Sequence, residues 1–339
     1  MNSPKEILTI RDVARKTGVS VATVSRAMNR PSVVHPETRL KVLQAIEELD
    51  YIPNSFATSL ATQRSGLIGL VVPEITNPFF SIVAHGCEDI LREHQYGLVL
   101  CNIGVQASEE TGIYRLLRKR QMDGLILVSP PLSNRQLPAF MQSTAAVHVD
   151  YDPNMPGADV VGIDNSAGGR LVAEHFITQG HRHMAVALGF ASSYAGATAR
   201  LNGFRQALIE HGLTLPDGYI ATKDFDLTEG VSVVKNLMAL SPRPSAIFAS
   251  NDLLALGLLR SLLVLGYRVP EDVALAGFGD LPLCQLSTPS LTSIVVDKYE
   301  LGRKAAELLV TRIESPSLRK RRLVLPVHLA VRESSALRQ

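Results

Sequence analysis

An arginine one turn into a short helix, behind two small apolar side chains, can read the edge of a base pair. Val21, Ala22 and Arg26 form such a group. Arginine pairs bidentately with guanine, and valine or alanine can touch a thymine methyl. Around them Ser20, Thr23, Ser25 and Asn29 are short polar side chains suited to phosphate oxygens. A second set of candidates follows apolar runs much later in the chain. It comprises Phe79 and Phe80, Asp150, Arg200, Asn251, and Gly279 in the run Gly277-Phe278-Gly279-Asp280. An arginine among such groups can hold a ligand oxygen pair or a carboxylate by forked hydrogen bonds.

The first set needs a helix-turn-helix to position it. Ile10, Val13 and Ala14 share one helical face, Gly18 can close that helix, and Ser20 can cap the next, which turns Val24 and Met28 inward. A third helix starts near Pro36, buries Val42, Ile46 and Leu49, and ends by Pro53. Two helices joined by a tight glycine turn place the second in the major groove, its first residues toward the bases. By spacing alone the same pattern also suits a three-helix bundle with no nucleic-acid role. Residues 54–64 form a linker in which Asn54 or Ser55 can cap a short helix carrying Ala57 and Leu60 on one face. A helix so short is marginal in isolation, so composition alone favours a tether.

The second set needs parallel sheets. Leu67–Val72, Leu98–Cys101, Leu125–Val128, Ala145–Val149, Met184–Leu188, Ala246–Ala249 and Val273–Ala276 are short apolar runs. Amphipathic stretches at Ile82–Glu93, Ala167–Gln179, Arg200–His211 and Leu253–Leu265 lie between them. Strand and helix alternating in this way give βαβ units, which bind ligands beyond the carboxyl ends of their strands. Asn and Asp there are also ordinary turn formers and helix caps. What favours a site is that several such loops converge on one sheet edge.

Thr9-Ile10-Arg11-Asp12-Val13-Ala14, Gly18 through Arg26, Asn29, Thr38-Arg39, Val42, Tyr51 and Pro53-Asn54 together resemble the signature of the lactose/galactose repressor family. The resemblance continues through Asp123-Gly124-Leu125-Ile126, Gly180-His181-Arg182, Arg200-Leu201-Asn202-Gly203-Phe204, Asn251 to Gly257 and Pro289-Ser290-Leu291-Thr292. It implies an all-α helix-turn-helix headpiece over 1–53, a hinge helix over 54–65, and an α/β, periplasmic-binding-protein-like sensor and dimerisation domain over 66–339. The sensor would have two lobes with parallel sheets, the first about 66–163 and 293–325, the second about 164–292 and 326–339. By resemblance Val21, Ala22 and Arg26 read bases, and Thr9, Ser20, Asn29 and Tyr51 meet the backbone. Leu60 falls where an apolar side chain wedges into a minor-groove step, with its partner copy at a dyad.

The same resemblance puts Phe79, Phe80 and Asp150 in the first lobe's ligand wall, and Arg200, Phe225 and Asn251 in the second lobe's. Phe225 could stack on a ring face. Family members that sense neutral sugars often carry Asp where this chain has Gly279. With Arg200 retained and Lys298 nearby, a more positive pocket suited to a sugar acid is one expectation, beside a neutral sugar or a nucleoside.

Charge supports this division only mildly: residues 1–64 hold nine Lys or Arg against six Asp or Glu, in a chain of net charge +2. Cys87, Cys101 and Cys284 are far apart and form no metal spacing, so reduced thiols in a cytoplasmic protein are expected. His175, His181 and His183 lack the carboxylate or cysteine that would complete a metal site. Arg118-Lys119-Arg120 and Arg319-Lys320-Arg321-Arg322 read as solvated runs sooner than as a second nucleic-acid patch. The polar opening Met1–Glu6 does not read as a leader, and no apolar run is long enough to span a membrane. A solute-binding protein for transport would need such a leader. An enzyme would need catalytic groups, and no GxSxG, P-loop or HExxH occurs. The expected protein is a regulator without cofactor, binding a near-palindromic operator and a small effector. It ends soon after Arg332-Glu333-Ser334 with no heptad tail, so a homodimer is expected and not a tetramer.

Overall fold

Helix α1 (Ile10–Thr17) is fastened at both ends by local chemistry. The Asp12 carboxylate accepts hydrogen bonds from the Thr9 amide (2.9 Å) and hydroxyl (2.8 Å). At the other end Gly18 turns left-handed, φ +71°, and its amide donates to the Ala14 carbonyl. Two residues later Ser20 Oγ accepts from the Thr23 amide (3.1 Å) and starts α2 (Val21–Asn29). Helix α3 (Pro36–Glu48) begins at its proline, as expected. The three helices bury Val13, Ala14, Val24, Ala27, Val42, Ala45 and Tyr51 as one core, with Met28, Ile46 and Leu49 only partly covered.

This computed structural model describes residues 8–29, 31–51, 64–103, 122–129, 144–150, 158–188, 195–222 and 229–336. The chain divides into two compact units, Met1–Ser65 and Gly66–Gln339.

The second unit is built on two six-stranded sheets. One contains β1 (Leu67–Val72), β2 (Gly97–Asn102), β3 (Gly124–Val128), β4 (Ala145–Val149), β5 (Asp159–Ile163) and β11 (Arg322–Leu325). Its order is β11-β5-β4-β3-β1-β2 and every pairing is parallel. The other contains β6 (Met184–Ala187), β7 (Ile220–Ala221), β8 (Ala246–Ala249), β9 (Ala274–Gly279), β10 (Thr292–Val295) and β12 (His328–Ala330). Its order is β12-β10-β9-β8-β6-β7, and only β12 runs antiparallel to its neighbour. Strands β1, β3, β4 and β5 are buried nearly throughout, as parallel strands covered on both faces must be.

Helices α4 (Pro78–Glu93) and α10 (Lys298–Glu314) pack together on the first sheet. The second lobe carries α5 (Asn165–Thr178), α6 (Ala195–Glu210), α7 (Glu229–Met238), α8 (Asp252–Val264) and the short α9 (Leu283–Leu286). The chain passes between lobes after Ile163, after Val295 and between Leu325 and His328. The middle passage lies later than the boundary of about 293 read from sequence, because Thr292–Val295 pairs with β9 in the second sheet. Strand β9 also runs on through Gly277, Phe278 and Gly279, which the sequence placed in the following loop.

Candidate functional site

In the first unit, α2 divides its side chains cleanly. Val24 and Ala27 are fully buried, whereas Val21, Ala22 and Arg26 are exposed, Val21 to 40%. A valine left in water on a small helical unit has no packing role to explain it. Ser20 and Thr23 hydroxyls hydrogen-bond each other at 2.9 Å beside this group, and Ser25 is half-buried. Thr9 is exposed and serves α1 as its cap, while the Tyr51 side chain is 7% exposed and part of the core. Asn29 ends α2. Asn54, Ala57 and Leu60 lie outside the described residues.

In the second unit, backbone conformation marks the carboxyl ends of the strands. Ser129 (φ +43°) follows β3, Asp150 (φ +51°) follows β4 and Asp280 (φ +51°) follows β9. Left-handed backbone at a residue with a side chain is strained, and such strain gathers at functional sites.

Asp150 is the centre of a buried polar cluster that joins the lobes. Its carboxylate accepts from Asn165 Nδ2 (2.7 Å), Ser129 Oγ (3.3 Å) and Arg200 Nη2 (3.4 Å). Arg200 also donates through Nε to Asn165 Oδ1 and through Nη1 to the Ser250 carbonyl, both at 2.7 Å. Its guanidinium lies 3.8 Å over the Phe278 ring. Burial pulls the guanidinium pKa down, and the carboxylates of Asp150 and Asp252 oppose that shift. Three of the five N–H groups of Arg200 are thus engaged, and two have no partner among the described residues. Close helix packing puts it there: a Cβ on Gly169 in α5 would overlap the Arg200 carbonyl in α6. Arg200 sits in the second turn of α6, which starts earlier than the sequence suggested.

Phe79 and Phe80 open α4 behind Asn77, whose side chain accepts from the Phe79 amide. Their rings meet edge to face at 5.3 Å, and Phe79 packs against both main apolar clusters of the unit. Asn251 caps α8 by accepting from the Leu254 amide (2.9 Å) through its side-chain oxygen. Phe225 lies outside the described residues.

Gly279 has φ +128°, and a Cβ there would stand 3.0 Å from Asp252 Oδ2. The glycine therefore makes room for a buried aspartate of this chain. Asp252 accepts from Ser293 Oγ (2.5 Å) and the Leu281 amide (2.7 Å). Burial raises its pKa against these hydrogen bonds. Lys298 is buried and donates to the carbonyls of Gly279, Asp280 (3.1 Å) and Val296 (3.1 Å). These three bonds use all the donors of an ammonium group. The surplus of positive charge expected from sequence is therefore offset: Asp150 balances Arg200, and Lys298 is engaged internally.

Sequence reasoning missed Asn165, Ser129, Ser250 and Phe278 as members of this cluster. Asn165 follows strand Asp159–Ile163, whose short run, opened by Asp159 and broken by Gly162, carries little strand signal in the sequence.

A helix pair with an exposed Val-Ala-Arg face, joined in one chain to a two-lobed α/β unit with a buried polar cluster between its lobes, is the architecture of a ligand-responsive regulator of transcription. Residues 9–54 match the model of bacterial regulatory proteins of the lacI family, and residues 173–335 match a periplasmic binding protein-like domain. The ribose operon repressor of Halalkalibacterium halodurans is 35% identical over 327 residues, covering 96% of this chain and 97% of the relative. The HTH-type transcriptional repressor PurR of Photobacterium profundum is 32% identical, covering 96% and 98%. The structure of the lac repressor dimer bound to operator and the anti-inducer ONPF superposes with TM-score 0.85 at 27% identity, covering 98% and 100%. The chain belongs to the LacI family of DNA-binding transcriptional repressors and is not an enzyme. No helix among the described residues is long and apolar enough to cross a membrane.

Proposed function

We propose that this protein is a cytoplasmic homodimeric repressor that binds a near-palindromic operator and is controlled by a small, neutral, polyhydroxylated effector held between the sensor lobes. The observation that carries the DNA half is the solvent-facing group Val21, Ala22 and Arg26 on a helix whose other face is core. Two copies would read two half-sites one helical repeat apart. Asn54, Ala57 and Leu60 belong to the hinge, Leu60 wedging into the minor groove where the copies meet.

The effector half rests on the paired charges at the cleft. A hydroxyl both donates and accepts, so it can bridge an Asp150 oxygen and a remaining Arg200 N–H, with the Asn251 amide as a further donor. Phe79 and Phe80, and by position Phe225, supply apolar faces for a ring. A carboxylate ligand would meet Asp150 beside its arginine, so a sugar acid fits less well than a sugar. Effector binding must favour one lobe arrangement over the other, typically by about 1–3 kcal/mol, to change operator affinity.

Selection from random duplex oligonucleotides with the purified chain tests the reading, followed by a thermal-shift screen with sugars, sugar acids and nucleosides. A selected site with dyad symmetry, lost in Arg26→Ala, supports it. A chain that enriches no site, with or without metabolites, ends it.

A further inference from the structure

We propose that the loop Arg319-Lys320-Arg321-Arg322, on the first lobe of the sensor, is a second contact to duplex DNA, binding backbone phosphates outside the base pairs read by α2. The inference rests on the DNA-binding reading above and adds a surface that lies wholly in the sensor.

The loop is held by a buried ion pair and is not a loose run of charges. Asp159, fully buried at the start of β5, pairs with Arg312 of α10 at 2.7 Å. The rest of the Arg312 guanidinium donates to the carbonyls of Pro316 (2.8 Å), Leu318 (2.6 Å) and Arg319 (3.3 Å). Asp159 in turn accepts from the Arg321 amide (2.9 Å) and, at 3.4 Å, from Lys320 Nζ. Burial raises the Asp159 pKa, but these donors outweigh it and hold the carboxyl below its ordinary value. The backbone is thereby fixed from inside, and Lys320 is tied to it.

The Arg319, Arg321 and Arg322 side chains take no part in that anchorage. All three residues are exposed, and none has a carboxylate partner among the described residues. The neighbouring acidic residue in sequence is Glu314, at the end of α10. Three guanidiniums carried on an anchored backbone, each with forked donors, suit phosphate oxygens.

Their place in the sheet says which polyanion. Strands β11 and β1 are parallel members of one sheet, so their amino ends lie at the same end of it. The loop leads into the amino end of β11. The chain coming from the headpiece enters at Gly66, the amino end of β1. The two strands stand four places apart, a separation of roughly 19 Å at the usual strand spacing. Ligand-cleft residues occupy the opposite, carboxyl ends. The basic loop thus shares a side of the sensor with the covalent tether to the DNA reader. Residues 52–65 tether the headpiece to the amino end of β1 and can span at most about 50 Å.

The test uses the full chain and the triple variant Arg319→Gln/Arg321→Gln/Arg322→Gln, with Lys320 retained. The probes are a site recovered by random-oligonucleotide selection, trimmed to its two half-sites, and the same site extended by two helical turns on each side. The wild-type chain is expected to bind the extended duplex at least about tenfold more tightly at low salt, with a salt slope steeper by up to about 0.9 for each added phosphate contact. The variant should match wild type on the trimmed duplex, lose the gain on the extended one, and melt at the wild-type temperature. Equal wild-type affinity and slope on both duplexes would overturn the loop's role while leaving α2 as the reader. So would a variant that keeps the full gain, which would point the loop toward an acidic protein instead. Failure to recover any site would overturn the DNA-binding reading and this inference together.

Discussion

Arg200 and Asp150 are each other's compensation, and removing one leaves the other buried with its charge. Arg200→Ala is therefore expected to abolish effector response and also to destabilise the sensor, by about 3–5 kcal/mol if the carboxylate is not rehydrated. Urea unfolding followed beside operator binding separates the two effects, since the α1–α3 core does not involve these residues. Normal effector response in this variant would remove Arg200 from the proposed pocket. Gly279 carries a different constraint. Gly279→Asp would place a second carboxylate against Asp252 on backbone at φ +128°, and should cost about 1–3 kcal/mol in a denaturation midpoint. No gain in sugar affinity is expected from it. His148 is fully buried in β4, and burial pushes its pKa from 6.5 down to about 4. The fold therefore favours neutral imidazole. Its contribution is complete above pH 6.5 and is lost as pH falls toward about 4, up to about 3 kcal/mol. His175 and His181, also lowered by burial, act in the same direction. Chemical denaturation of His148→Leu should be flatter over that window than wild type, and a wild-type curve already flat there would contradict the assignment.

At the scale of elements, what could be read from sequence tracks how local the determining physics is. Helices α1 and α2 follow from a capping pair, a left-handed glycine and a serine cap, all within twelve residues, and their exposed face was legible with them. Arg26→Ala should reduce discrimination at the selected site by about 1–3 kcal/mol while leaving nonspecific binding nearly intact, as competitive gel shifts would measure. Strands β1, β4 and β8 were equally legible because burial on both faces makes them continuous apolar runs. Strands β5, β7, β10, β11 and β12 were not. Gly162 and Asp159 interrupt β5, β7 has two residues, and β11 opens with an arginine. Their existence depends on partners far along the chain, which no window of sequence contains. The polar cluster shares that gap: Arg200 and Asp150 stand out in the sequence by their loops, whereas Asn165, which bridges them, follows the weakly marked β5.

For the whole molecule, the lobes are tied by groups on opposite sides of their boundary. Asp150 of the first lobe meets Asn165 and Arg200 of the second, and Lys298, at the start of a first-lobe helix, holds the end of β9. Burial lowers the Lys298 pKa while Asp252 and Asp280 resist that change. Lys298→Met should lower the sensor's melting temperature by several degrees in calorimetry, because the carbonyls of Gly279, Asp280 and Val296 each lose a charged donor. An unchanged melting curve would show the tie to be energetically idle.

The three passages between lobes also govern how the protein can be made. The first sheet lacks an edge strand until Arg322–Leu325 arrives, and the second lacks His328–Ala330. Ser334 then plugs in behind them, exchanging hydrogen bonds with Leu275 and donating its amide to the Ser290 carbonyl. A ribosome must therefore have made the chain as far as about Ser334 before either half of the sensor can close. The headpiece needs only its first fifty or so residues, so in a growing chain the part that recognises DNA can be folded long before the part that restrains it.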